Sequence, residues 1–314
     1  MPKSSKKSNK KRDFLSLEDW SPAEVKNLLS LSQKLKAERS KKGKKALSKP
    51  LAGKTLAMIF EKPSNRTLVS FDVAMHELGG HAIELSADSV RIGERETVSD
   101  VAKTLSRYVD AILIRTYEHT IAEELAYESA VPIINGLTDT YHPCQALADL
   151  LTIWEREKTF KNIHLVYLGD GNNVSHSLIN AAAKTGLKLT LCHPKGYASD
   201  SDILKTAQKL NPNIKVEIDG ISAVKKADYL YTDVWTSMGQ EEETRRRMTV
   251  FKPFQINTKL LKMAPKHCKV MHCLPAHRGQ EITDEVLSSD ACIVFDQAEN
   301  RLHVQKAVLA TLLR

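Results

Sequence analysis

Apolar residues in this chain fall in short continuous runs separated by stretches with helical spacing. "TLAMIF" (55–60), "DAILIRT" (110–116) and "AVPIINGL" (130–137) read as buried strands. "SPAE" (Ser21 to Glu24) is a capping box with Pro at the first helical position, and predicts a helix to about Arg39. Further helices are predicted from about Arg66 to Leu78, closed by Gly79-Gly80, and from about Pro143 to Glu157. A second series follows. "IHLVYLGD" (163–170), "KLTLCH" (188–193), "IKVEID" (214–219), "ADYLYTDV" (227–234), "KVMHCL" (269–274) and "ACIVFD" (291–296) read as strands. Helices are predicted from about Val174, from about Ser201, and from about Glu299 to the end. Alternating strands and helices predict an α/β protein with two doubly wound parallel-sheet domains joined by interdomain helices. The pattern places the boundary within 145–160, giving units at 14–150 and 151–298, a closing helix at 299–314, and a ligand crevice beyond the carboxyl ends of the strands.

Composition narrows the class. Of the 314 residues, 42% are hydrophobic and 27% charged, as in soluble globular proteins. No apolar run approaches the ~18 residues that span a bilayer. The start, "MPKSSKKSNKKRDF", lacks the apolar core of a secretory signal and makes a poor amphipathic presequence. Five cysteines (144, 192, 268, 273 and 292) are an odd and sparse count, which argues for a reducing compartment, so a cytoplasmic location is expected. The net charge is +8, and Met1 to Arg12 hold six Lys/Arg without an acid. "ERSKKGKK" adds a basic cluster at 38–45. Residues 1–13 read as a disordered, solubilising tail. A nucleic-acid or membrane arm is the competing reading, but no aromatic residues are interleaved with the charges.

Candidate chemistry begins at "EKPSNRTLVSF" (61–71), directly after the first strand. Ser64, Asn65, Arg66 and Thr67 stand where a helix begins, and free N–H groups and the helix dipole favour an anion there. Simple N-capping by Ser64 or Asn65 is the alternative, yet capping leaves Arg66 and Lys62 unexplained. "GKT" (53–55) is no phosphate loop, because its earlier Gly is missing and it leads into a strand. Arg115 ends a strand and points to the crevice or to solvent. In "HPCQ" (142–145), His142 suits a carbonyl and Gln145 an amide, although capping and packing explain both equally well.

Two rival chemistries are disfavoured. "LGDGNNV" (168–174) has Gly169 and Gly171, but Val174 replaces the third glycine of the dinucleotide fingerprint. Cys192 and His193 stand where its ribose-binding acid belongs. "KHCKVMHCLPAHRG" (266–279) groups two Cys and three His. On a strand, His272 and Cys273 face opposite ways, and Cys268 and Cys273 lie about 16 Å apart at ~3.3 Å per residue. Ligands of one zinc lie far closer than that. Cys273, at the end of a strand, instead faces the crevice.

Taken together, these motifs resemble the ornithine carbamoyltransferases. "FEKP" with "SNRT" resembles the carbamoyl-phosphate signature, and "HPCQ" the carbamoyltransferase motif. "DVWTSMG" (233–239) and "HCLP" (272–275) resemble the ornithine-side motifs, and "AENR" (298–301) the C-terminal one. The resemblance runs in order from about residue 14 to the end.

It implies carbamoyl transfer from carbamoyl phosphate to the δ-amine of L-ornithine, giving citrulline. It also implies a carbamoyl-phosphate domain, an ornithine domain, a C-terminal helix returning to the first domain, and a homotrimer with active sites near subunit boundaries. No metal, organic cofactor, nucleic acid or membrane is expected as a partner. By resemblance, Ser64, Asn65, Arg66 and Thr67 bind phosphate, and Arg115 and His142 contact phosphate or carbonyl oxygen. Gln145 holds the carbamoyl amide. Asn173, Asp233, Ser237 and Met238 hold the α-amino and α-carboxylate groups. Cys273 and Leu274 lie beside the reacting amine, and Arg301 reaches the carbamoyl group. The charged segment 236–253 is implied to be a lid. Putrescine or N-acetylornithine is the alternative acceptor. The chain departs from the family's usual pattern at Asn65, where Thr is common, at Leu68, where Arg is common, at Asp88, where an amide is common, and in "GERE", where "GRGE" is commoner.

Overall fold

The computed structural model describes residues 11–42, 48–86, 90, 92–93, 95–218, 220–236 and 243–313. Ser237, Met238, Asp88 and the first ten residues of the basic tail lie outside them. Helix α1 (Pro22–Lys42) opens on the predicted capping box. Glu24 N–H donates to Ser21 Oγ (3.3 Å), and Ser21 N–H donates back to Glu24 Oε2 (2.8 Å).

The first sheet is parallel, in the order β2-β1-β3-β4. Its strands are β1 (Thr55–Phe60), β2 (His81–Ser86), β3 (Ala111–Arg115) and β4 (Ile133–Leu137). The order reverses between β1 and β3, and Phe60 lies in register with Arg115. Helix α2 (Asn65–Leu78) follows β1, capped by Ser64 at one end and by left-handed Gly79 (φ 88°) at the other. Helices α3 (Val98–Leu105) and α4 (His119–Glu128) complete this half. Strand β2 was not predicted. "HAIELS" forms an edge strand and is mostly exposed, so it lacks the continuous apolar run that marked its neighbours.

Helix α5 (Pro143–Glu157) leads into the second parallel sheet, in the order β7-β6-β5-β8-β9. Its strands are β5 (His164–Leu168), β6 (Lys188–Cys192), β7 (Ile214–Val216), β8 (Tyr229–Thr232) and β9 (Lys269–His272). This order reverses between β5 and β8. The helices here are α6 (Asn173–Thr185), α7 (Ser201–Leu210), α8 (Gly220–Val224), α9 (Thr244–Phe251), α10 (Thr258–Leu261) and α11 (Asp284–Leu287). The final helix, α12 (Val294–Leu312), packs against α5, α1 and α2.

The expected strand at 291–296 is absent. Cys292 makes an isolated bridge to Val270, and α12 begins at Val294 rather than near Glu299. An apolar run this short does not distinguish a strand from the start of a helix, and in that first turn Val294 is buried while Phe295 is exposed. One apolar core joins the two halves, with Leu147, Leu150 and Leu151 of α5 beside Val304 and Val308 of α12.

A buried ionic cluster pins three helices to one another. Glu77 of α2 accepts from Lys306 of α12 and from Arg39 of α1, both at 2.8 Å. Burial pushes the Glu77 carboxyl up, but Lys306 and Arg39 outweigh it and hold it below its ordinary 4.5. Truncating Glu77 to alanine strands a lysine that is 1% exposed. The expected loss is about 3 kcal/mol of unfolding free energy, read from the denaturation midpoint. A depressed carboxyl contributes stability above its unfolded value and loses it as the pH falls, so the gap between wild type and variant should narrow on acidification below about pH 4.5.

Candidate active site

Both switch points open onto one cavity of about 830 Å³. Ligand crevices form where strand order reverses, because the neighbouring connections there leave on opposite faces. Ser64, Asn65, Arg66 and Arg115 enter from the first sheet, and Asn173, Asp233, Cys273 and Leu274 from the second. His142 at the head of α5 and Arg301 of α12 complete the wall between them. Thr67 and Gln145 lie behind this wall, fully buried and essentially buried (0% and 1% exposed).

On the first-sheet side, Thr67 N–H donates to Ser64 Oγ (3.3 Å), and the Ser64 hydroxyl donates to Thr67 Oγ1 (2.9 Å). Arg301 donates to the same Thr67 oxygen at 2.8 Å. Arg66 crosses the crevice to the Leu274 carbonyl at 2.6 Å, a bond between the two halves of the chain. Three guanidinium groups therefore converge. Burial lowers Arg115 to about 10, with Arg301 and Arg66 adding to the fall. Burial also lowers Arg301, and holds His142 well below the ordinary histidine range, with the three arginines reinforcing it. His142 is thus a neutral donor at physiological pH. The Nε of Arg66, of Arg115 and of Arg301, and Nδ1 of His142, are buried with no protein partner among the described residues. The three guanidinium groups repel one another on the cavity wall, a cost that an anion in the cavity would offset.

On the second-sheet side, Asp233 accepts from Asn172 Nδ2 (2.7 Å) and from the Cys273 thiol (2.8 Å). Burial and Asp233 push the Cys273 thiol well above its ordinary value, so it is a thiol donor and not a thiolate nucleophile. Asn173 donates to the Thr138 carbonyl at 2.6 Å. Sequence reasoning had not singled out Asn172, although it stands in the glycine-containing turn that failed the dinucleotide test.

Residues 244–251 of the charged segment 236–253 form α9. Arg247 of α9 donates to Asp170 (2.7 Å) and to the Trp235 carbonyl (2.9 Å), which fastens that helix to the cavity wall. Asp233, His272 and Cys273 each bring a ligand atom within 4.8 Å of the others. The expected divergence of His272 and Cys273 fails because β9 ends at His272 and the alternation stops there. Both imidazole nitrogens are nevertheless engaged, Nδ1 by Leu274 N–H (2.8 Å) and Nε2 with Glu281 (3.2 Å).

This arrangement has known counterparts. The carbamoyl-P binding domain of aspartate/ornithine carbamoyltransferases matches residues 12–155, and the Asp/Orn binding domain of the same proteins matches residues 161–312. The chain belongs to the aspartate/ornithine carbamoyltransferase family. Among curated relatives, it is 51% identical over 311 residues to the ornithine carbamoyltransferase of Pyrococcus abyssi (strain GE5 / Orsay), covering 97% of this chain and 96% of that one. It is 50% identical over 309 residues to the anabolic ornithine carbamoyltransferase of Pyrococcus furiosus, covering 96% of each. The crystallised ornithine carbamoyltransferase of Thermus thermophilus superposes with a TM-score of 0.87 at 44% identity, covering 96% of this chain and 99% of that one. The carbamoyltransferase matches thus span both sheets and the crevice between them.

Proposed function

We propose that this carbamoyltransferase moves the carbamoyl group of carbamoyl phosphate to the δ-amine of L-ornithine, giving L-citrulline and phosphate in arginine metabolism. The observation that carries this reading is the convergence of buried Arg115 and Arg301 with half-buried Arg66 on the cavity wall, set at the helix terminus of Ser64 to Thr67. That cluster suits a phosphate dianion, and the acid at Asp233 opposite it suits an ammonium. Residues 14–150 take carbamoyl phosphate and 151–298 take ornithine.

Ser64, Asn65, Arg66 and Thr67 hold the phosphate. Arg66, Thr67, Arg115, His142 and Arg301 face the carbamoyl oxygen, and the Gln145 amide oxygen takes the carbamoyl nitrogen. Asn173, Asp233, Ser237 and Met238 orient the α-amino and α-carboxylate groups, while Cys273 and the Leu274 carbonyl flank the δ-amine. The amine, with a pKa near ~10 by analogy with lysine, first loses a proton to solvent. Its lone pair then attacks the carbonyl carbon. Negative charge gathers on the carbonyl oxygen under the donors, the carbon–oxygen bond to phosphate breaks, and the amine proton leaves with hydrogen phosphate. Segment 236–253 closes over ornithine and excludes water. The protein works in the cytoplasm as a homotrimer.

Citrulline formation with L-ornithine, putrescine, N-acetylornithine and aspartate in parallel tests the reading. Turnover with ornithine alone is the expected result. Turnover with putrescine instead would overturn the assignment of Asp233, because putrescine has no α-carboxylate and no α-ammonium beside one.

A further inference from the structure

Gln145 is expected to meet a substrate group that is a pure donor, the carbamoyl NH₂. A glutamine side chain turns over readily about its last torsion, so the same residue can present either its oxygen or its NH₂. Presenting NH₂ would set donor against donor. Something must hold the amide one way round, and nothing in the motif "HPCQ" does so.

Asp149 lies one helical turn beyond Gln145 on α5, on the same face, and is fully buried (0% exposed). Its Oδ1 accepts from Gln145 Nε2 at 2.8 Å and from Gln297 Nε2 of α12 at 2.6 Å. Gln297 Oε1 in turn accepts from the His272 N–H at 3.0 Å, at the end of β9. The directions of these bonds are mutually enforced. A backbone N–H can only donate, so Gln297 must turn its oxygen to His272 and its NH₂ to Asp149. Asp149 Oδ1 accepts, so Gln145 must also turn its NH₂ inward. The Gln145 oxygen is left pointing away, buried and without a protein partner among the described residues.

We infer that Asp149 is a positioning residue for carbamoyl transfer, locking the Gln145 amide with its oxygen toward the carbamoyl nitrogen and tying that lock, through Gln297, to the His272–Cys273 end of the ornithine side. The inference rests on the role of Gln145 given above. Burial raises the Asp149 carboxyl to about 7, against the hydrogen bonds of Gln145, Gln297 and Tyr231 and the charge of Arg301. The lock holds in both protonation states. A proton goes to Oδ2, which has no protein partner among the described residues, and Oδ1 remains an acceptor.

A double-mutant cycle with Gln145→Ala tests the inference, using carbamoyl phosphate and L-ornithine on the full-length protein. Asp149→Leu should lower kcat about tenfold and move either KM by less than about threefold, since it removes one orienting hydrogen-bond acceptor and no substrate contact. In the Gln145→Ala background the same substitution should cost less than about twofold. If Asp149→Leu does not fold, Asp149→Asn serves in its place. It keeps a weaker, neutral acceptor, so a loss of about threefold is expected, again vanishing beside Gln145→Ala. An equal loss in both backgrounds makes Asp149 a packing residue and overturns the inference alone. Gln145→Ala with undiminished kcat, or wild-type protein that forms no citrulline, overturns the reading beneath it as well.

Discussion

Arg66→Ala should lower kcat/KM for carbamoyl transfer by at least ~100-fold in protein that folds normally. A preorganised donor at a developing oxyanion is typically worth ~3–4 kcal/mol, and Arg66 is proposed to serve both that oxygen and the phosphate. The effect should exceed that of removing a surface arginine for a structural reason. The half-buried guanidinium sits beside buried Arg115 and Arg301, and its charge adds to the lowering of both. Holding two buried cations beside a half-buried third is unfavourable until a dianion arrives, so the site is poised for phosphate rather than for a neutral ligand. Arg66 also bonds the Leu274 carbonyl across the crevice, so part of the loss should appear in the KM for ornithine. Steady-state kinetics with each substrate varied separates the two contributions. A total loss below about tenfold in folded protein would remove Arg66 from the reacting centre.

Asp233→Ala should raise the KM for ornithine at least ~30-fold, with carbamoyl phosphate binding measured by calorimetry changed by less than about threefold. Truncating one partner of a buried, hydrogen-bonded charge pair costs ~2–5 kcal/mol. Asn172 and Cys273 each donate to a different oxygen of Asp233, which fixes its plane before any substrate binds. The ammonium then meets an oriented acceptor and little ordering entropy remains to be lost. If carbamoyl phosphate affinity falls in step, Asp233 is a brace for the loops of Asn172 and Cys273, and the ammonium partner must be sought elsewhere.

Much of this was legible in the chain. The run "TLAMIF" followed by "KPSNRT" implied a strand leading to a helix terminus rich in donors, and the structure has both at those residues. Both sheets are parallel, as the alternation of elements implied. Where the pattern misled, it did so for want of local contrast. "HAIELS" mixes polar and apolar residues because one edge of its strand is open, and "ACIVFD" is as apolar as a strand although it spans the entry to a helix, with Val294 buried and Phe295 exposed.

The alternation of strands and helices, the crevice beyond the strand ends and most of the residue types that face it were readable along the chain, because these follow from periodicities over a few neighbouring residues. How those residues act on one another depends on meetings between distant parts of the chain. Arg301 reaches Thr67 across 234 positions, Arg66 reaches Leu274 across 208, and Gln297 reaches Asp149 across 148. The lowered charge affinity of Arg115, the neutral state of His142 and the enforced direction of the Gln145 amide all arise from such meetings. Burial and Coulomb forces depend on distance in space, and no local pattern in the chain encodes that distance.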